Sequence, residues 1–183
     1  AEERVYVSLS GLEESLEQGI VMFEHILANV KSDQKAYDNM VLDILKGTIP
    51  VWGAYFLYAH FGLKEPFYLG IIGVSACLGH MYPIFFSFQG GKAVATALGT
   101  LLPIGLGLGV LLIATWVGVA KLTKYSSLAA IVTVSMAPFY VFLLKPLYVY
   151  PTLMLSALII FRHKDNIIRL LKGTENEITT KVK

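Results

Sequence analysis

The chain of 183 residues is 55% hydrophobic and only 15% charged, and its mean hydropathy of +0.62 indicates a membrane protein rather than a soluble globular domain. Its single cysteine, Cys77, excludes an internal disulfide framework and a cysteine-ligated metal site. Residues 1–42 carry eight acidic and three basic residues, a net charge of −5, whereas residues 43–183 carry a net charge of +7. This asymmetry predicts two segments in different surroundings, with the basic segment near anionic lipid headgroups.

The acidic segment, residues 1–42, has the pattern of a soluble fold. Residues 5–9 predict a short strand, residues 10–13 form a capping box that opens an amphipathic helix, and a second such helix follows Ser32. A fragment of this kind cannot bury its own apolar faces. It faintly resembles part of the pitrilysin-type zinc peptidases but lacks their metal-binding spacing. Because its start is acidic and has no long apolar core, no signal peptide is predicted.

From residue 47 the sequence becomes a series of apolar blocks, separated by Pro, Gly and Lys, at residues 47–61, 67–88, 93–120, 128–144 and 148–161. Several approach the roughly 20 residues that a membrane-spanning helix needs. The block at 93–120 allows two alternatives, because Pro103 and three nearby glycines either kink one helix or separate two. Two crossings would place most basic residues on one face, and the positive-inside rule favours that alternative. The sequence therefore predicts an all-α, polytopic helical bundle in the membrane.

A polar motif, Gln-Gly-Gly-Lys, follows the second block at residues 89–92. Its two glycines let backbone N–H groups approach an anion, the helix that follows adds its positive end, and the lysine supplies a charge. The motif is not a Walker A loop, because Phe86 stands where the first glycine belongs and Ala93 where the magnesium ligand belongs. Taken alone, a Gly-Gly-Lys is more often a helix-ending turn with a lysine at the membrane interface.

A second polar cluster occupies residues 162–175. His163 and Asn166 are three residues apart and share one face of a helix, while Arg162 and Arg169 lie near enough to attract an anion. Taken alone, the cluster is more often a basic juxtamembrane end that anchors the last helix. The cluster therefore predicts either an anion site or a membrane anchor.

Residues 79–96, with their Gly-His, Gly-Gly-Lys and Ala-Thr elements, and the His-x-x-Asn and Gly-Thr-Glu of residues 162–175 resemble two motifs of the PlsY family. A third, shorter element at residues 125–127 is weak, and its alternative is a helix cap. The resemblance covers residues 43–183. It implies transfer of an acyl group from acyl phosphate to the first-carbon hydroxyl of glycerol 3-phosphate, giving lysophosphatidic acid for phospholipid synthesis.

The same resemblance implies a multi-pass protein of the bacterial inner membrane with its active site facing the cytoplasm. It implies no metal or other cofactor, no acyl-CoA and no nucleic acid partner. The catalytic residues that it implies are His80, Lys92, His163 and Asn166. The substrate-binding residues are Gly90, Gly91, Lys92, Thr96, Ser127 and Arg162, and Glu175 has a structural role.

PlsY proteins begin with a transmembrane helix and a loop rich in Gly and Asn, which supplies a Ser and an Arg to the site. Residues 1–42 contain neither, so this segment is expected to be foreign to the family and the activity to be reduced. Two other classes stay open. One is a non-catalytic membrane protein that binds lipid or a partner, and the other is a small transporter with glycine-broken helices.

Overall fold

The computed structural model describes residues 38–58, 60 and 66–178. The chain divides into two compact units, residues 1–40 and 41–183, and the second unit contains both polar motifs. The predicted strand and the first amphipathic helix lie outside the described residues. The second amphipathic helix, predicted to follow Ser32, lies outside them up to residue 37, and from residue 38 the chain is helical.

Seven α-helices make up most of the described part of the chain, which contains no strand. They are α1 (Asp38–Tyr58), α2 (Pro66–Met81), α3 (Val94–Leu101), α4 (Leu106–Thr123), α5 (Ser126–Leu144), α6 (Val149–Arg162) and α7 (Lys164–Leu171). Single 3₁₀ turns at Ile84–Phe86, Leu102–Ile104 and Pro146–Tyr148 precede or connect them. The predicted all-α fold is confirmed.

Four helical stretches are long and apolar enough to cross a membrane, namely Asp38–Tyr58, Phe67–Phe86, Leu106–Thr123 and Ser126–Leu144. Two shorter apolar stretches accompany them, Val94–Ile104 and Pro146–Arg162. Many large apolar side chains point outward from these helices, for example Trp52, Phe56, Phe142 and Leu153, each at least 48% exposed. Lipid is the surrounding that makes such faces stable, so the helices form a multi-pass membrane bundle.

The ambiguous block at 93–120 contains two helices. α3 continues through the 3₁₀ turn Leu102–Ile104, and extended backbone at Gly105 separates it from α4. The stretch Val94–Ile104 is roughly 17 Å long, shorter than the hydrocarbon core of about 30 Å. The break in the middle is thus established, while the number of crossings stays a prediction.

Helix α5 lies at the centre, packed against α4 and α6, and α2 contacts α3 and α6. A hydrogen bond of 2.9 Å joins Thr115 Oγ1 on α4 to Tyr140 Oη on α5. Small residues bring α1 and α3 together, because a Cβ at Gly99 would overlap the backbone of Ile44, and Thr48 Oγ1 donates to the Gly99 carbonyl at 2.9 Å. Close approach over small residues is the usual packing of membrane helices.

The two polar motifs lie at the same end of the bundle. The core beneath it is formed by buried side chains of α2, α3, α5 and α6, including Cys77, Met81, Ala97, Val134 and Ile159. At this end the N–H of Ile178 donates to the carbonyl of Lys124 at 2.6 Å and Tyr125 contacts Glu177, so the end of the segment after α7 lies beside the turn between α4 and α5. The fold therefore places the start of α3, the end of α4, the start of α5 and all of α7 together.

Candidate active site

The Gly-Gly-Lys motif forms a loop between α2 and α3 that lies directly on the end of α2. A Cβ at Gly90 would overlap the carbonyl oxygen of His80, and a Cβ at Gly91 would overlap Nε2 of the His80 ring. Both positions therefore require glycine because of close packing. The loop ends at Ala93, whose φ of 58° is left-handed and turns the chain into α3.

The backbone N–H groups of Gly91 and Lys92 face no acceptor within the described part of the chain. Helix α3 begins two residues later, and no side chain caps its N-terminus. Successive free N–H groups beside a helix N-terminus form an anion-binding arrangement. The geometry suits an anion, and the binding of one at this loop stays a prediction.

The ammonium of Lys92 lies among the charges of the second polar cluster. Partial burial lowers the pKa of Lys92 below its usual value, and the positive charges of Arg169 and Arg162 lower it further. The carboxylates of Glu175 and Asp165 act in the opposite direction. The two polar motifs, about 70 residues apart in sequence, therefore share one site.

His163 occupies the corner between α6 and α7 and is only 2% exposed. Its Nδ1 lies 2.7 Å from the carbonyl oxygen of Ile159, and because a carbonyl can only accept, Nδ1 carries the hydrogen. Burial lowers the pKa of His163 and the charge of Lys92 lowers it further, against the opposing hydrogen bond to Ile159. A lowered pKa favours the neutral imidazole, whose Nε2 can accept a hydrogen bond.

Glu175 is the centre of a compact polar cluster and its side chain is 8% exposed. Nδ2 of Asn166 donates to one carboxylate oxygen and Nε of Arg169 to the other, each at 2.6 Å. Burial alone would raise the pKa of Glu175, but the nearby Ser127 hydroxyl and these two donors lower it to about 2. The Ser127 hydroxyl contributes without reaching hydrogen-bond geometry. No described residue donates a hydrogen bond to the amide oxygen of Asn166, so this oxygen can accept one.

We expect Glu175→Gln to lower the thermal stability of the detergent-solubilised protein at pH 7, and the difference from the original protein to narrow at acid pH. The folded pKa of about 2 lies below the unfolded value of about 4.3. The stabilisation is therefore complete above pH 4.3 and is lost as the pH falls toward 2. Melting temperatures of both proteins from pH 7 to pH 3 measure this difference in stability. Glu177→Gln is the control, since Glu177 is exposed and its one contact among the described residues is with Tyr125 at 3.4 Å. A difference that does not vary with pH would contradict this account.

His80 lies in the last turn of α2, beneath the glycine loop. Its Nδ1 is 3.5 Å from Oδ1 of Asp43, and the same oxygen accepts from Lys46 Nζ at 2.8 Å. The ring thus connects α1 to the loop. Beside it opens a cleft of about 440 Å³, lined by Lys46, Ala76, Gly79, His80, Pro83, Phe86, Gln89, Gly90 and Gly91. Asp43 and Lys46 were not among the predicted site residues, because only the tertiary fold brings α1 to this cleft.

The other predicted site residues differ in their exposure and in their hydrogen-bond partners. Thr96 is fully buried in α3 and Ser127 is 8% exposed at the start of α5, and neither hydroxyl has a hydrogen-bond partner among the described residues. Substrate contacts of these two residues stay predictions. Arg162 donates to the carbonyls of Gly90 and Gly91, so one of its nitrogens is already engaged by the protein.

Comparisons with known proteins identify relatives of this chain. Residues 33–173 match the family described as glycerol-3-phosphate acyltransferase. A glycerol-3-phosphate acyltransferase of Colwellia psychrerythraea is 78% identical over 143 residues, which cover 78% of this chain and 70% of that relative. One from Pseudoalteromonas translucida is 58% identical over 142 residues, covering 78% and 68% of the two chains.

Solved structures give the same result. The crystal structure of PlsY, an integral membrane glycerol 3-phosphate acyltransferase, in its lysophosphatidic acid form matches with a TM-score of 0.69 and 35% identity, covering 77% of this chain and 71% of that one. The glycerol 3-phosphate form of the same protein matches with the same TM-score and identity, covering 77% of this chain and 70% of that one. The chain therefore belongs to the glycerol-3-phosphate acyltransferase family. The family resemblance read from the sequence is confirmed, and the faint likeness of residues 1–42 to pitrilysin-type peptidases finds no support in these matches.

Proposed function

We propose that this chain transfers an acyl group from acyl phosphate to the first-carbon hydroxyl of glycerol 3-phosphate, giving lysophosphatidic acid and inorganic phosphate. The observation that carries the proposal is the meeting of the glycine loop and Lys92 with a neutral His163 and with Asn166. The first pair suits a phosphate and the second pair suits hydroxyl groups. The related crystal structures in glycerol 3-phosphate and lysophosphatidic acid forms support both assignments.

The proposed mechanism relies on positioning. The N–H groups of Gly91 and Lys92, with the Lys92 ammonium, hold a phosphate, while Nε2 of His163 and the oxygen of Asn166 accept hydrogen bonds from the polyol. The hydroxyl oxygen bonds to the acyl carbon as the bond between that carbon and the phosphate oxygen breaks, and the hydroxyl proton passes to the leaving phosphate. Because a mixed anhydride is already activated, orientation and electrostatic stabilisation suffice, without a covalent acyl-enzyme, a metal or another cofactor.

The cleft beside His80 supports an amphiphilic acyl donor. Its lining combines Lys46 and the glycine loop with the apolar side chains of Ala76, Pro83 and Phe86. A concave site with a few polar groups and an apolar wall suits a phosphate headgroup joined to a hydrocarbon chain. Acyl phosphate has both parts.

The site is proposed to face the cytoplasm from the bacterial inner membrane. Lys92, Lys124 and the basic cluster at residues 162–164 all lie at the end of the bundle that carries the site, whereas Lys145 follows α5, which runs roughly 28 Å away from it. An excess of basic residues at one end marks the cytoplasmic side.

An assay in oriented vesicles tests donor and sidedness together. We expect acyl phosphate and glycerol 3-phosphate, added outside inverted vesicles, to give lysophosphatidic acid, and acyl-CoA to give none. Right-side-out vesicles should be active only after detergent opens them, because glycerol 3-phosphate does not cross the bilayer unaided. Lipid binding without any turnover would favour the non-catalytic alternative.

A further inference from the structure

Arg162, the last residue of α6, is attached to the glycine loop by its terminal guanidinium group. Nη2 lies 3.0 Å from the carbonyl oxygen of Gly90 and 3.2 Å from that of Gly91. We propose that Arg162 is a positioning residue that turns the Gly91 and Lys92 N–H groups toward the phosphate. The inference rests on the proposed function and assigns Arg162 a role through the loop rather than through the substrate.

Peptide geometry links the two sides of the loop. The carbonyl of Gly90 and the N–H of Gly91 belong to one planar trans peptide and point in opposite directions, and so do the carbonyl of Gly91 and the N–H of Lys92. A donor that draws both carbonyls to one side therefore directs both N–H groups to the other. Those are the two N–H groups that lack an acceptor among the described residues.

The guanidinium itself is held in place from a second direction. Its central carbon lies 5.2 Å from the centre of the Tyr82 ring, a cation–π distance, and Tyr82 directly follows α2. Nε of Arg162 is buried and has no hydrogen-bond partner in the described part of the chain. The ring and the two carbonyls together fix the plane of the group.

A lysine cannot reproduce this arrangement. Its ammonium keeps the charge but has no planar face to stack on Tyr82 and no fixed direction for its donors. Arg162→Lys therefore separates the positioning role from a role in which only positive charge near the loop matters. Tyr82→Phe keeps the ring and Tyr82→Leu removes it, which gives a matched pair on the other side of the guanidinium.

The test measures binding, so that it does not depend on turnover. We expect Arg162→Lys to raise the Kd for glycerol 3-phosphate about tenfold, the effect of losing one hydrogen bond to a charged group, with the melting temperature nearly unchanged. Tyr82→Phe should bind as the original chain does, and Tyr82→Leu should weaken binding in the direction of Arg162→Lys. An unchanged Kd in Arg162→Lys would overturn the proposal in favour of charge alone.

Hydrogen exchange then distinguishes positioning from direct contact. At saturating glycerol 3-phosphate, the original chain should protect the amides of Gly91 and Lys92, and Arg162→Lys should not. Weaker binding with full protection at saturation would mean that Arg162 contacts the substrate itself, which also overturns the proposal. If the original chain binds glycerol 3-phosphate but transfers no acyl group, the proposed activity fails while the binding and exchange results still decide the role of Arg162.

Discussion

Lys92→Ala is expected to weaken the binding of glycerol 3-phosphate by about tenfold to a hundredfold while the protein stays folded. The Lys92 ammonium makes no hydrogen bond or ion pair with the described residues, and two of its charged neighbours, Arg162 and Arg169, repel it. Removing it therefore costs the fold little. A phosphate dianion loses a charged donor, which contributes about 1.5–3 kcal/mol.

Calorimetric titration of the detergent-solubilised protein measures this change, with the melting temperature as the check on folding. Lys145→Ala is the matched control, because Lys145 is also exposed but lies beyond the far end of α5. Equal affinities in Lys92→Ala and the original chain would show that the backbone N–H groups alone hold the phosphate.

Gly91→Ala is expected to reduce kcat/KM by about a hundredfold, since its Cβ would overlap Nε2 of His80. The ring cannot withdraw freely, because its other nitrogen lies 3.5 Å from Asp43. The loop must therefore move, and a displacement of about 1 Å at a substrate-positioning group can cost about a hundredfold in rate. The overpacking should also lower stability by about 1–3 kcal/mol.

The double variant Gly91→Ala, His80→Ala tests whether the overlap with the His80 ring causes the loss of stability. Removing the ring opens the space that the new methyl group needs, so the melting temperature should recover even if activity does not. Gly118→Ala is the control, since Gly118 is inside α4 and a Cβ there meets nothing within 4 Å. A double variant no more stable than Gly91→Ala would exclude the clash with His80.

The hydrophobic blocks were enough to predict the helices. In hydrocarbon the backbone N–H and C=O groups must bond to each other, which favours helices, and the length of an apolar block indicates whether it can span the bilayer. The same blocks could not place the break at Gly105, since the Pro and Gly residues around it fit a kink as well as a gap. Burial in the membrane explains the fold class, and local backbone geometry decides where a helix breaks.

The site shows the same division. The glycine loop was recognisable because two glycines before a lysine and a helix have a chemical reason to be there. The partners of Arg162 and His80 could not be predicted. The loop carbonyl that Arg162 contacts and the Asp43 carboxylate that His80 contacts come close only in the tertiary fold. Arg162 was assigned to the substrate by resemblance, whereas the structure joins it to Gly90 and Gly91. The role of Glu175 also came from resemblance, and the structure supplies its partners, Asn166 and Arg169.

The distance in sequence between the glycine loop and Arg162 has a consequence for biosynthesis. Gly90 precedes Arg162 by 72 residues, so at about 5–20 residues per second the loop leaves the ribosome roughly 4–14 s before its partner exists. During that interval the two carbonyls need another donor, and hydrocarbon offers none. The nascent loop must therefore wait in water at the membrane surface, and the polar end of the bundle is completed only when α6 has been inserted.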